Sequence, residues 1–180
     1  SEYPGMLILP NDAMSAQAFL QGDECPVREL TEEARERLAR YAHALFLEEG
    51  RHRHPDDAMQ PWDTLRTDFK NSNLNQVDHM VRHLVSHGYR LVPLGAGESP
   101  YRFGPEDEAA VEAMARAEHG RWNVERLGQG WRYGPVRNTP ERIHDCLVPW
   151  EELGERARSW DRNAVMRYPD LLAEVGLRIV

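Results

Sequence analysis

His119, Trp122 and Arg126 stand at i, i+3 and i+7 of a helical pattern, so the three side chains share one face of a helix. Trp131 and Tyr133 follow after a turn, with Gly130, Gly134 and Pro135 shaping the backbone around them. An aromatic face accepts a base or a guanidinium. Arg132, Arg137 and Arg142 cluster in the loop that leads to His144, and a guanidinium fork suits paired phosphate oxygens better than a lysine does. Glu118 and Asp161 supply carboxylates that would accept hydrogen bonds from ribose hydroxyls or hold Arg126 in place. Together with Trp150, these residues describe a cleft for a small anionic ligand with a flat ring, and an adenine nucleotide meets both requirements. Buried Trp and Tyr beside an Arg–Glu pair also build a specific core, so Trp131 and Trp150 read as core residues too.

Other groupings carry less chemistry. His79, His83 and His87 recur every four residues, but they lie opposite the apolar stripe of their helix and no Cys or carboxylate completes a ligand set. They read as a solvated face, and no metal is assigned. Arg51-His52-Arg53-His54 reads as a surface turn. Glu118 and His119 are adjacent, so they point about 100° apart and converge poorly as an acid–base pair. No Walker loop, dinucleotide glycine fingerprint, HExxH helix or serine triad order is present. The reading is non-catalytic, with no cofactor required.

The elements that position these residues are mostly helices. Leu30, Ala34, Leu38, Tyr41, Ala42 and Leu45 recur at helical spacing behind Thr31, a suitable N-cap. Leu74, Val77, Val81 and Leu84 make a second stripe, opened by Asn71-Ser72-Asn73 and stopped at Gly88. Pro105-Glu106-Asp107-Glu108 opens a third helix, whose Ala110, Ala113, Ala117, Gly120, Val124 and Leu127 form a small-sided seam expected to pack closely. Val165, Tyr168, Leu172 and Val175 mark a fourth helical region that Pro169 should kink or split. Short extended tails near residues 89–92 and 177–180 would pair or cover an edge.

Composition excludes several classes. With 41% hydrophobic and 29% charged residues in 180, the chain is an ordinary soluble globular protein long enough to bury a core. A net charge of −8 argues against a nucleic-acid polymer as partner. Cys25 and Cys146 make no disulfide framework. The apolar run Met6–Leu9 is too short to span a bilayer, so a cytoplasmic location without membrane contact is expected. Ser1 in place of an initiator Met suggests a fragment of a longer protein.

Sliding the chain against itself by 88 residues aligns two halves. Pro61-Trp62-Asp63-Thr64-Leu65 falls on Pro149-Trp150-Glu151-Glu152-Leu153, Asn75 on Asn163, and Gly88-Tyr89-Arg90-Leu91-Val92 on Gly176-Leu177-Arg178-Ile179-Val180. Upstream, Leu38–His43 echoes Met114–His119, and only the second copy carries Gly130-Trp131-Arg132-Tyr133-Gly134-Pro135. The second copy, with Glu118-His119-Gly120-Arg121-Trp122, Leu147-Val148-Pro149-Trp150 and Asp161-Arg162-Asn163, resembles the ryanodine-receptor (RyR) repeat. The likeness covers 106–180 well and 29–92 weakly. It implies a mainly α fold of tandem RyR-type repeats with short β-tails: an extension over 1–28, a degenerate repeat over 29–92, a connector over 93–105 and a second repeat over 106–180. It further implies a regulatory module beside an effector or membrane domain of the same full-length protein. Similar bacterial modules are associated with sensing nucleotide-derived signals, including in defence. The alternative is a module that docks another protein, or another copy of itself, with no small-molecule ligand.

Overall fold

The computed structural model describes residues 30–50 and 59–180. The extension over 1–28 and Arg51-His52-Arg53-His54 lie outside the described residues. The architecture is mainly helical with small strand pieces, as the apolar periodicity predicts. Among the described residues no helix is long and apolar enough to cross a membrane.

Helix α1 (Glu32–Gly50) begins where Thr31 Oγ1 accepts the Ala34 amide at 3.0 Å, the N-cap that the sequence suggests. A 3₁₀ turn (Trp62–Thr64) follows, then α2 (Thr67–Ser86). Helix α2 starts earlier than expected. Asn71–Asn73 lie inside it, where Asn73 donates to the Phe69 carbonyl one turn back instead of capping. Its end is the expected one: Gly88 takes φ +88°, and Tyr89 N reaches the Leu84 carbonyl in a Schellman arrangement. Val77, Val81 and Leu84 are buried as anticipated, but so is His83, 5.7 Å from the His79 ring. The histidine face of α2 is therefore only partly solvated, a correction to the periodicity reading.

Strand β1 (Leu91–Pro93) leads through Leu94–Arg102 to a 3₁₀ turn (Pro105–Asp107) and α3 (Glu108–Gly128). Asp107 accepts the Gly104 amide at 2.8 Å and so secures the start of this segment. Strands β2 (Arg132–Tyr133) and β3 (Ile143–His144) pair in parallel after α3. A 3₁₀ turn (Trp150–Glu152) precedes α4 (Glu155–Met166), and α5 (Tyr168–Ala173) follows after a break at Arg167, the split expected from Pro169. Strand β4 (Leu177–Ile179) ends the fold and pairs antiparallel with β1, Leu91 opposite Ile179.

Two compact units result. One joins the described residues up to Arg102 with Tyr168–Val180; the other is Phe103–Arg167. The first packs α1, α2 and α5 around Leu38, Met80, Leu84, Tyr168 and Leu172, closed by the β1–β4 ladder. The second packs α3 on α4 around Met114, Ala115, Trp150 and Val165. Residues 168–180, which the repeat pattern groups with the segment from 106, pack with the first unit.

The packing of α3 reverses the expected one. Its buried face is Val111, Met114, Ala115, Glu118 and His119, while Val124 and Leu127 on the small-sided seam are 73% and 59% exposed. The three- and four-residue spacing of small apolar residues points the seam inward, but burying the opposite face puts Glu118 and His119 out of water, which is costly. Specific hydrogen bonds and an ion pair, described next, offset that cost.

Candidate functional site

The residues singled out from the sequence for the cleft all lie in the unit Phe103–Arg167. Helix α3 contributes Glu118, His119, Trp122 and Arg126, α4 contributes Asp161, and the intervening segment contributes Trp131, Tyr133, Arg137, His144 and Trp150.

His119 is at the centre of the buried part. Its Nε2 donates to the Val148 carbonyl at 2.8 Å, and Asn123 Nδ2 donates to the same oxygen at 2.9 Å. Its Nδ1 faces Asp161 Oδ2 at 3.4 Å. Because Nε2 must carry a proton to meet a carbonyl, a second proton is needed on the Nδ1–Asp161 axis to avoid opposing lone pairs. Burial pushes the His119 pKa down, but the hydrogen bonds to Asp161 and Val148 and the charges of Asp161 and Glu118 outweigh it, and the net shift is upward. Asp161 also moves up, chiefly by burial, with His119 pulling the other way. Both shifts favour holding a proton between the two groups. Trp122 stacks on the imidazole at 5.9 Å between centroids and Trp150 tilts against it at the same distance.

Glu118 does not hold Arg126. Both its oxygens accept from Arg121, whose other side meets Glu125, and the Arg121 and Glu118 side chains are almost wholly buried. Burial opposes the charge on Arg121, but the two carboxylates raise its pKa further, so it stays ionised. Arg121 and Asn123 are the two residues that sequence reasoning passed over. A buried Glu118 with Arg at i+3 was the available signal for the first. The second, whose buried Oδ1 has no hydrogen-bond partner among the described residues, had none.

Arg126 belongs to an outer aromatic layer. Its guanidinium carbon lies 5.3 Å from the Trp131 ring centre and 5.9 Å from that of Trp122, and Nη1 donates to Gln129 at 3.1 Å. His144 sits edge-on to Trp122 at 4.8 Å and 6.1 Å from Trp131. Trp131 and Trp150 are both buried, in keeping with their reading as core residues. Tyr133 and Arg137, by contrast, are exposed.

Backbone geometry explains the glycines of this segment. Gly130 has φ +81°, a left-handed conformation that favours glycine, and a Cβ on Gly134 would run into the Ile143 side chain across the β2–β3 pair. Arg142 takes φ +55°, held by its amide on the Thr139 carbonyl and by its guanidinium on Gln129 O at 2.7 Å. Arg142 therefore caps the end of α3. His144, Asp145 and Cys146 bring one donor atom each within 4.8 Å of one another, but Nδ1 of His144 already accepts the Cys146 amide at 3.0 Å.

Comparison with known protein families places this region. The sequence model of the family described as RyR domain matches residues 99–180.

Proposed function

We propose, from the premise that residues 99–180 belong to the RyR domain family, that this region is a non-catalytic sensing module for a nucleotide-derived small molecule. Adenine nucleotides, ADP-ribose and cyclic nucleotides are the candidate class. The observation that carries this reading is the Arg126 guanidinium layered against Trp122 and Trp131. Stacking on indoles orients a planar fork toward paired phosphate oxygens, and exposed Tyr133, two residues beyond Trp131, adds a face for a base. His119, Glu118 and Trp150 support the site from below, since their polar atoms and rings are engaged within the unit. The same engagement argues against acid–base chemistry by Glu118 and His119.

The test is a thermal-shift screen of the protein against adenine mono-, di- and triphosphates, ADP-ribose, cyclic nucleotides and cyclic oligonucleotides. A ligand that binds only the folded state raises the melting temperature. A saturable shift that disappears in Arg126→Ala is the expected result. A flat screen on well-folded protein would move the reading to a docking module for an effector domain of the same full-length protein.

A further inference from the structure

Gln129, the residue that ends α3, is hydrogen-bonded at both ends of its side-chain amide and at its main-chain oxygen. Its Oε1 accepts from Arg126 Nη1 at 3.1 Å, and its Nε2 donates to Glu125 Oε1 at 3.3 Å. The main-chain oxygen accepts from Arg142 Nη1 at 2.7 Å. The orientation of the amide is forced, because a guanidinium only donates and a carboxylate only accepts. Glu125 is in turn held by Arg121, which also binds both oxygens of Glu118. The result is one chain of donors and acceptors, Glu118–Arg121–Glu125–Gln129–Arg126. It runs from the buried part of α3 to the guanidinium layered on Trp122 and Trp131. The chain and the arginine it ends on are missing together from α1. Aligned through His43 and His119, Leu45 and Gly50 stand there in place of Arg121 and Arg126, although Glu49 matches Glu125.

We infer that Gln129 is the positioning residue of the Arg126 site: it sets the turn of the guanidinium toward the phosphate oxygens of the bound nucleotide and does so without touching the ligand. This rests on the reading of Arg126 as a phosphate contact. Stacking on an indole is insensitive to how a guanidinium turns in its own plane, whereas a hydrogen bond at Nη1 sets that turn. Gln129 is itself fixed from two sides, by Arg142 at its main chain and by Glu125 at its amide. An arginine held in its bound orientation gives up less conformational freedom on binding, so a neutral amide contributes to affinity for the anionic part of the ligand. The same role accounts for the buried acidic group. Keeping Glu118, Arg121 and Glu125 out of water is costly, and α1 does without it by placing Ala42 and Leu45 where Glu118 and Arg121 stand. In α3 the group anchors the residue that aims Arg126.

Titration of the whole chain with ADP and with adenosine, its uncharged counterpart, tests the inference. Gln129→Met keeps the length of the side chain and the main-chain oxygen that Arg142 binds, and removes both hydrogen bonds of the amide. ADP binding should weaken about tenfold in this variant, the size expected when a hydrogen bond to a charged group is lost. Adenosine binding should stay as in wild type, which a merely structural role for Gln129 does not predict. Arg126→Ala should weaken ADP binding at least as much. If Arg126→Ala loses ADP while Gln129→Met binds it as wild type does, the positioning role is overturned and the ligand reading stands. An equal loss of ADP and adenosine in Gln129→Met would likewise overturn it, since the residue would then act on the fold and not on Arg126. Wild-type protein that takes up no ADP would overturn the ligand reading for this class and the positioning role with it.

Discussion

The surroundings of His43 and His119 match closely, and the differences separate scaffold from speciality. Each histidine is 3% exposed and donates Nε2 to a main-chain carbonyl just ahead of a Pro-Trp turn, Gln60 at 2.7 Å and Val148 at 2.8 Å. Each ring lies about 6 Å from the Trp of that turn, Trp62 or Trp150, and stacks on an aromatic three residues later, Phe46 or Trp122. An Arg three residues before the histidine reaches the carboxylate after the Trp, Arg40 to Asp63 and Arg116 to Glu151. What recurs in both places is a clamp between a helix and the turn that follows it. Among the described residues, what occurs in one place only is the Glu118–Arg121–Glu125 group, the carboxylate at Nδ1 and the layer of Arg126 on Trp131. In the first unit Ala42 and Leu45 align with Glu118 and Arg121, and Asn73 with Asp161. Whatever is particular to the second unit rests on those additions, and His119 itself is shared framework.

The sharpest way to break the comparison is to remove Arg121. Arg121→Ala removes the guanidinium that both oxygens of buried Glu118 accept from and should cost about 3–5 kcal/mol in urea unfolding. The paired change Glu118→Ala with Arg121→Leu, which copies Ala42 and Leu45, should recover most of that loss. If the pair is as damaging as the single change, the acidic group is part of the framework after all.

His43→Ala and His119→Ala should each cost about 2–3 kcal/mol, from a lost carbonyl hydrogen bond and lost ring contacts. Similar values from the two would confirm a common clamp. A value for His119→Ala far below that of His43→Ala would break it.

Asp161→Asn makes the second pocket resemble the first and sharpens the comparison through pH. His119 has a raised folded-state pKa, so its contribution is fully present below the unfolded value near 6.5 and is lost as pH rises through the folded value. Asp161, also raised, loses stability in the same direction in the acid range, as pH rises past about 3.8. The urea midpoint should therefore fall as pH rises from 6 to about 8. In Asp161→Asn that slope should flatten, because burial, opposed only by weaker partners, lowers the His119 pKa. An unchanged slope would assign the titration elsewhere.

The smallest effect belongs to the outer ion pairs. Arg116→Ala should change stability by roughly 0–1 kcal/mol, as exposed pairs do. Arg40→Ala should leave the unfolding midpoint unresolved from wild type. A large effect at either would mean that the pair steers the turn instead of decorating it.

Much of the fold was legible because it depends on local rules. Thr31 caps α1, Gly88 and Gly176 end their segments with positive φ, and Pro169 separates α4 from α5; each follows from the backbone freedom or hydrogen-bonding of one residue. The shared face of His119, Trp122 and Arg126 followed from helical spacing alone. The direction in which α3 packs did not. Periodicity names two faces of a helix, and hydrophobicity favoured the alanine seam; the outcome turned on whether Glu118 and His119 could be satisfied inside. That depended on Val148 O from a turn 29 residues away and on Asp161 from a separate helix. Likewise, Asn71–Asn73 looks like a cap until the preceding turn sets where α2 begins.

By itself, then, the sequence determined the helices, the cap of α1, the end of α2, the break at Pro169 and the family resemblance, because spacing, caps and glycine or proline chemistry act within a few residues. Only tertiary structure decided which face of α3 is buried, that Glu118 pairs with Arg121, and that residues 168–180 pack with the first unit. Those outcomes rest on partners distant in the chain: burying a charge or an imidazole is favourable only where another segment supplies the matching group.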